Sequence, residues 1–137
     1  MYTLKLKHHF DAAHKLENYD GPCSNLHGHR WDVEVEIEVD SLVKDMVIDF
    51  KEIKKIINKL DHVTILQNKE SNGKLIDVML AEHLLLYLTD FNPTAENLVL
   101  HLKNLIEQEL KTGKNTALRD ILVKVTLWES PEASITI

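Results

Sequence analysis

Apolar and polar residues alternate strictly in three stretches of this chain. Over residues 2–10, Tyr2, Leu4, Leu6, His8 and Phe10 fall on one face. Over Trp31-Asp32-Val33-Glu34-Val35-Glu36-Ile37-Glu38-Val39, every second residue is apolar and every other one is acidic. Within residues 118–129, Ile121, Val123, Val125 and Leu127 repeat the pattern. A period of two is that of a half-buried strand. The chain is therefore predicted to hold strands at 2–10, about 29–39 and 118–129, with Ser134–Ile137 as a further short strand. Asp32, Glu34, Glu36 and Glu38 mark one sheet face as wet.

The period changes after Asp49. Phe50, Ile53, Ile56, Ile57 and Leu60 recur at helical spacing, while Lys51, Glu52, Lys54 and Lys55 occupy the other side. Asp49 is the expected N-cap of a helix over 50–60. A second long helix is expected from the Pro93-Thr94 cap to about Lys111, stopped by Thr112-Gly113-Lys114. Between them, Asn72-Gly73 reads as a turn and 75–83 as a short helix, and the run 84–88 fits a buried strand or part of that helix. Residues 16–25, with Asn-Tyr-Asp-Gly-Pro, form a turn-rich connection. The order strand, strand, helix, variable region, helix, strand, strand predicts an α+β fold. Its sheet is antiparallel, with helices on one face. Such a sheet has two edges to protect. Closing into a barrel with copies of itself would bury them.

The 137 residues suit one domain, 1–137, able to bury a core without staples. A net charge of −6 argues against a general nucleic-acid-binding surface. A single cysteine excludes an intrachain disulfide framework and fits a reducing, cytoplasmic compartment. The N-terminus alternates and shows no secretory apolar core, and no apolar run approaches the roughly 20 residues of a membrane span. With a glycine count of 4, a phosphate-cradling glycine loop is improbable.

The candidate chemistry lies in Cys23-Ser24-Asn25-Leu26-His27-Gly28-His29, preceded by His14. His27 and His29 are two apart at the start of a strand, so their side chains share a face, about 6.5 Å apart at the backbone. They can converge on one zinc at about 2.0 Å per Zn–N bond, with His14 as third ligand. Three protein ligands leave one position open, the catalytic pattern. Cys23 reads as a small buried hydrophobe or as a thiolate favoured by that cation. If Cys23 were instead a fourth ligand, the centre would be closed, and the protein a non-catalytic zinc-binding module. Asp61-His62, at the end of the first helix, is either an exposed terminus with a dipole-compensating histidine or part of a Cys23/Asp61/His62 proton-transfer set. Glu129 is an ordinary exposed glutamate or an acceptor of two parallel hydrogen bonds from an amidine-like ring edge. Thr94 and Glu96 are first a cap and a first-turn acid, and only secondarily ligand contacts. His8, His9, His83 and His101 have no partner at metal-ligand spacing, and His101 reads as a packing residue.

Phe10-Asp11-Ala12-Ala13-His14, Cys23-x-x-x-His27-Gly28-His29, Val47-Ile48-Asp49-Phe50, Leu60-Asp61-His62, Asn92-Pro93-Thr94-Ala95-Glu96-Asn97 and Trp128-Glu129-Ser130 follow in order. Together they resemble the 6-pyruvoyl-tetrahydropterin synthase family, from residue 2 to about 134. The resemblance implies a tunnelling fold: a four-stranded antiparallel sheet with two helices on one face. It implies trimers closing a twelve-stranded barrel, often paired as hexamers, with active sites between subunits. It assigns zinc to His14, His27 and His29, the general base to Cys23, a second proton-transfer unit to Asp61 with His62, and pterin anchoring to Glu129. Three residues between Cys23 and His27 are typical of the bacterial 6-carboxytetrahydropterin synthases of queuosine biosynthesis. The implied substrate is then 7,8-dihydroneopterin triphosphate, and the products are carboxytetrahydropterin, acetaldehyde and triphosphate. A pyruvoyl-forming or aldolase-like lyase is the neighbouring alternative. Two departures stand out: the stretch 63–91 is longer than in compact bacterial members, and Ser130 replaces a frequent threonine. Lys5, Lys7, Lys15 and Arg30 are the candidate cations for the triphosphate, or else part of a solvated face.

Overall fold

The computed structural model describes residues 1–112, 118 and 120–137. The elements are β1 (Tyr2–His14), β2 (His27–Val39), α1 (Phe50–Asn58), β3 (Val63–Gln67), α2 (Gly73–Ala81), β4 (Leu86–Thr89), α3 (Ala95–Thr112), β5 (Leu122–Ser130) and β6 (Ala133–Thr136). Short 3-10 turns cover Pro22–Ser24 and Glu70–Asn72. No helix among the described residues is long and apolar enough to cross a membrane.

The strands form one sheet in the order β4-β3-β1-β2-β5-β6. The long alternating strands make an antiparallel group, β1–β2, β2–β5 and β5–β6. The expected four-stranded antiparallel sheet is thus one part of it, and the whole sheet is six-stranded and mixed. β3 runs parallel to β1, meeting it only at Ala12–His14, and β4 runs parallel to β3. Parallel neighbours need a crossover, and α2 supplies it between β3 and β4. The helices therefore number three among the described residues, not two. Gly73 begins α2 in helical conformation instead of turning the chain. Within 84–88, Leu84 and Leu85 are exposed, and the strand that follows is an edge, not a buried strand.

β1 extends past residue 10 to His14, and β2 begins at His27. β5 begins at Leu122, later than residue 118. Gly113 and Lys114 of the expected helix stop lie outside the described residues.

One sheet face carries Phe10, Trp31, Val33, Val35, Ile37, Val123, Val125 and Leu127, all buried. α1 covers it with Ile53, Ile56 and Ile57, and α3 with Leu98, Leu102, Ile106 and Leu110. The Asp49 carboxylate accepts from Lys51 N at 2.9 Å and caps α1. The Thr94 hydroxyl accepts from Asn97 N at 3.2 Å and caps α3. Phe50 departs from the expected core stripe and is half exposed. It is the first residue of α1, and helical side chains tilt toward the N-terminus, which here carries the ring to an outer groove with Tyr2 and Met46. Opposite the core, Lys5–Glu36, Lys7–Glu34 and Lys124–Glu36 pairs cross the acidic strand face at 3.1–3.2 Å.

Candidate metal centre and its surroundings

The three histidines come together through strand register. His14 lies directly opposite His27, and Ala12 opposite His29. Opposed residues of an antiparallel pair, and residues two apart, share a face. His14, His27 and His29 thus continue the core face beyond Trp31. That indole forms their floor: it stacks on Phe10 at 5.8 Å, meets His14 and His29 edge-on at 5.0 and 5.2 Å, and donates its N–H to the Ala12 carbonyl at 3.3 Å. His14 is fully buried; His27 and His29 are partly so.

Hydrogen bonds set the orientation of two rings. His14 Nδ1 donates to the Pro93 carbonyl and His27 Nδ1 to the Asn25 carbonyl, each at 2.7 Å. A carbonyl only accepts, so in the neutral imidazoles both protons sit on Nδ1 and both Nε2 atoms carry lone pairs. Those Nε2 atoms face each other at 3.0 Å. A proton could bridge them only if one ring were cationic. Burial, the larger influence, depresses the pKa of His14 against the upward pull of Pro93, and the neighbouring His27 adds to the depression. His29 is depressed in the same way by burial, against the pull of Glu129.

His29 Nε2 is buried without a hydrogen-bond partner among the described residues. Its nearest charged neighbour is Glu129 Oε1 at 3.1 Å, which also lies 3.6 Å from His14 Nε2. The ligand-type atoms of His14, His27, His29 and Glu129 all fall within 4.8 Å of one another. Inward-facing lone pairs, one buried orphan nitrogen and a carboxylate are the donors of a borderline cation such as Zn²⁺. Carbonyls behind two of the rings are the usual outer support of metal-bound histidine. The residues fit a zinc ion.

The other candidates divide. Cys23 sits in the Pro22–Ser24 turn, partly buried, and belongs to no metal-ligand group. The fourth ligand-type group beside the histidines is Glu129, not Cys23. Asp61 and His62 do meet, with His62 Nδ1 and Asp61 Oδ2 at 2.9 Å. His62 takes a left-handed backbone (φ 58°), which turns the chain out of α1, and its side chain is exposed. Thr94 and Glu96 follow Pro93 at the start of α3 and stand outside the histidine group. Lys5, Lys7, Lys15 and Arg30 are each paired with a carboxylate, so none is an uncommitted cation.

Sequence reading missed Asp11 as a functional neighbour. Its N–H donates to Asp61 Oδ1 at 2.9 Å, and its carbonyl accepts from His62 N at 2.7 Å. Arg30 holds its carboxylate through two bonds at 2.9 and 3.0 Å. The Asp61 carboxyl is kept below its ordinary range first by the Asp11 N–H and then by His62. Asp11 lies inside the Phe10–His14 motif, which was a signal for it. The Pro93 and Asn25 carbonyls had no side-chain signal at all.

The family model described as 6-pyruvoyl tetrahydropterin synthase matches residues 3–137. A protein of Rickettsia felis named 6-carboxy-5,6,7,8-tetrahydropterin synthase is 34% identical over 135 residues, covering 93% of this chain and 94% of its own. A protein of the same name from Haemophilus influenzae is 29% identical over 141 residues, covering 96% and 94%. Among solved structures, 6-pyruvoyl tetrahydropterin synthase of Plasmodium vivax superposes with a TM-score of 0.69 at 20% identity, over 100% of this chain and 98% of that one. An uncharacterized Wolinella succinogenes protein superposes with a TM-score of 0.78 at 18% identity, over 99% and 97%. These two likenesses support the fold.

Proposed function

The chain belongs to the 6-pyruvoyl tetrahydropterin synthase family, and on that premise we propose that it is a zinc-dependent 6-carboxy-5,6,7,8-tetrahydropterin synthase. It would convert 7,8-dihydroneopterin triphosphate and one water to carboxytetrahydropterin, acetaldehyde and triphosphate. The observation that carries the reading is the convergence of three imidazole nitrogens and the Glu129 carboxylate on one point. The names of the relatives at 29–34% identity support the carboxy branch.

His14, His27 and His29 would hold the zinc. When bound, the ion supplies Lewis acidity toward the substrate's side-chain oxygens. Glu129 anchors the pterin by accepting from its amino and ring N–H groups, a role that suits a carboxylate at a strand end beside the histidines. Cys23, as thiolate, takes the proton from a carbon of the substrate's side chain. Asp61 engages His62 Nδ1, leaving the other ring nitrogen to move a proton. Trp31 and Phe10 keep water from the inner side of the histidines.

His62 is 74% exposed and Cys23 lies in neither cluster. A site completed between copies of the protein would bring both to the substrate. On the side of β1 away from β2, no strand among the described residues pairs with Tyr2–Phe10. β6 forms the opposite sheet edge. A groove of about 590 Å³ flanks the open stretch, with Tyr2, Met46 and Phe50 half exposed in it. These edges support trimers closing a twelve-stranded barrel from the antiparallel part of each sheet, paired as hexamers.

The test is incubation of the zinc-loaded protein with 7,8-dihydroneopterin triphosphate and identification of products by mass spectrometry. Carboxytetrahydropterin with acetaldehyde is expected. A pyruvoyl or hydroxymethyl pterin would move the protein to another branch. Bound but unconverted pterin would make it a binding module.

A further inference from the structure

The connection between His14 and the Cys23 turn holds a residue unusual for such a place: Glu17, only 7% exposed. Connections run over the surface because buried polar groups there are hard to satisfy. Glu17 is held by an amide and two lysines. Its Oε1 accepts from Asn72 Nδ2 at 2.8 Å and from Lys15 Nζ at 3.0 Å, and Lys69 Nζ lies 3.8 Å from Oε2. Asn72 is 1% exposed and uses both ends of its amide, donating also to the Gln67 carbonyl at 2.9 Å and accepting from Lys15 Nζ at 3.1 Å.

The backbone at Glu17 is gripped as well. Its N–H donates to Asn92 Oδ1 and its carbonyl accepts from Asn92 Nδ2, both at 2.9 Å. Asn92 immediately precedes Pro93, whose carbonyl orients His14. One residue before Glu17, the Leu16 N–H donates to the Cys23 carbonyl at 3.1 Å, closing the connection on itself. On the far side of the turn, the Asn25 carbonyl accepts from His27. Cys23 is thus tied at one end to a histidine and at the other to Glu17. The partner of the Glu17 carboxylate, Asn72, comes from the long stretch 63–91.

We infer that Glu17 and Asn72 are positioning residues, a buried carboxylate–amide lock that fixes the Cys23 turn relative to the histidine cluster. The inference rests on the proposed reading only in giving Cys23 a part in turnover. Under it, the stretch between β3 and β4 serves to present Asn72 to the connection that carries the thiol. A displacement of about 1 Å in a reacting group can cost about 10²-fold in rate, so such a lock acts on kcat more than on KM.

Cys23 is the only cysteine in the sequence, so total thiol alkylation reports on this turn alone. The zinc-loaded full-length protein is treated with iodoacetamide as wild type, Glu17→Ala, Asn72→Ala and Glu17→Gln, with Ile106→Val as a core variant away from the lock. Both alanine variants should alkylate several-fold faster, keep wild-type zinc content and lose kcat while KM stays near wild type. Glu17→Gln, which retains an acceptor oxygen for Asn72, should restore most of the slow rate, and Ile106→Val should leave it unchanged. Wild-type alkylation in folded Glu17→Ala and Asn72→Ala overturns the lock. If those variants do not fold, hydrogen exchange of the wild type decides: slow exchange of the Asn72 side-chain amide protons, which donate to Glu17 Oε1 and the Gln67 carbonyl, supports the lock, and exchange at the rate of a free carboxamide overturns it. Faster alkylation in variants of a wild type that does not turn over pterin keeps the lock and removes the proposed reaction.

Discussion

His14 and His27 stand directly opposite each other in the β1–β2 ladder and bring their Nε2 atoms to 3.0 Å, each with its Nδ1 on a backbone carbonyl. Two neutral rings so placed turn lone pair toward lone pair. A cation held by His14, His27 and His29 would relieve the repulsion, with the Glu129 carboxylate beside it. Register sets this geometry: a slip of one residue would send His27 and His29 to the wet face.

Removing one donor should therefore remove the ion. In His27→Ala, zinc per protomer after dialysis is expected to fall to background, because two imidazoles hold zinc far less tightly than three. Metal analysis equal to wild type would count against the centre.

Cys23→Ala separates binding from chemistry. Cys23 lies outside the ligand group, so zinc content should match wild type. Turnover of 7,8-dihydroneopterin triphosphate should fall by about 10²-fold or more, the size of a lost acid–base group. Undiminished turnover with zinc in place would exclude the thiol from the reaction.

Glu129→Gln distinguishes an anchor from a ligand. An amide keeps the size of the side group but presents one acceptor and one donor where a pterin edge offers only donors. Zinc content is expected to persist and KM to rise by about tenfold or more, in line with losing a charge-assisted bond. Loss of zinc with unchanged pterin affinity would make Glu129 the fourth ligand instead.

The Glu17 lock predicts an acid limb of stability. Burial alone would raise this carboxyl; Asn72, Lys15 and Lys69 together outweigh it and hold the folded pKa below the ordinary value. A depressed folded pKa gives stability that is complete above the unfolded value of about 4.3. That stability is lost as pH falls from there through the folded value. Melting temperatures followed from pH 7 downward should show a shallower acid drop for Glu17→Gln than for wild type. Parallel curves would mean that the carboxylate contributes nothing through its charge.

What could be read from residue order alone was whatever a local period or a local cap encodes. Alternation located β1, β2 and β5, because side groups on a strand reverse face at each residue. Helical spacing with Asp49 and Thr94 located α1 and α3, because caps act within one turn. Spacing two apart on a strand put His27 and His29 on one face. The tertiary structure decided the rest. β3 and β4 are short, and β3 joins β1 in parallel across a long sequence separation, so no local period marks them, and the six-stranded sheet emerges only on folding. Phe50 follows the core period but sits at a helix start, where the fold offers it no cover. Asp61 and His62 were legible as a pair, but Asp11, which orients them, acts through its backbone, and every residue has the same backbone. The burial of Glu17 against Asn72 is likewise a product of the path the backbone takes: residues 55 positions apart have no common pattern until the fold brings them together.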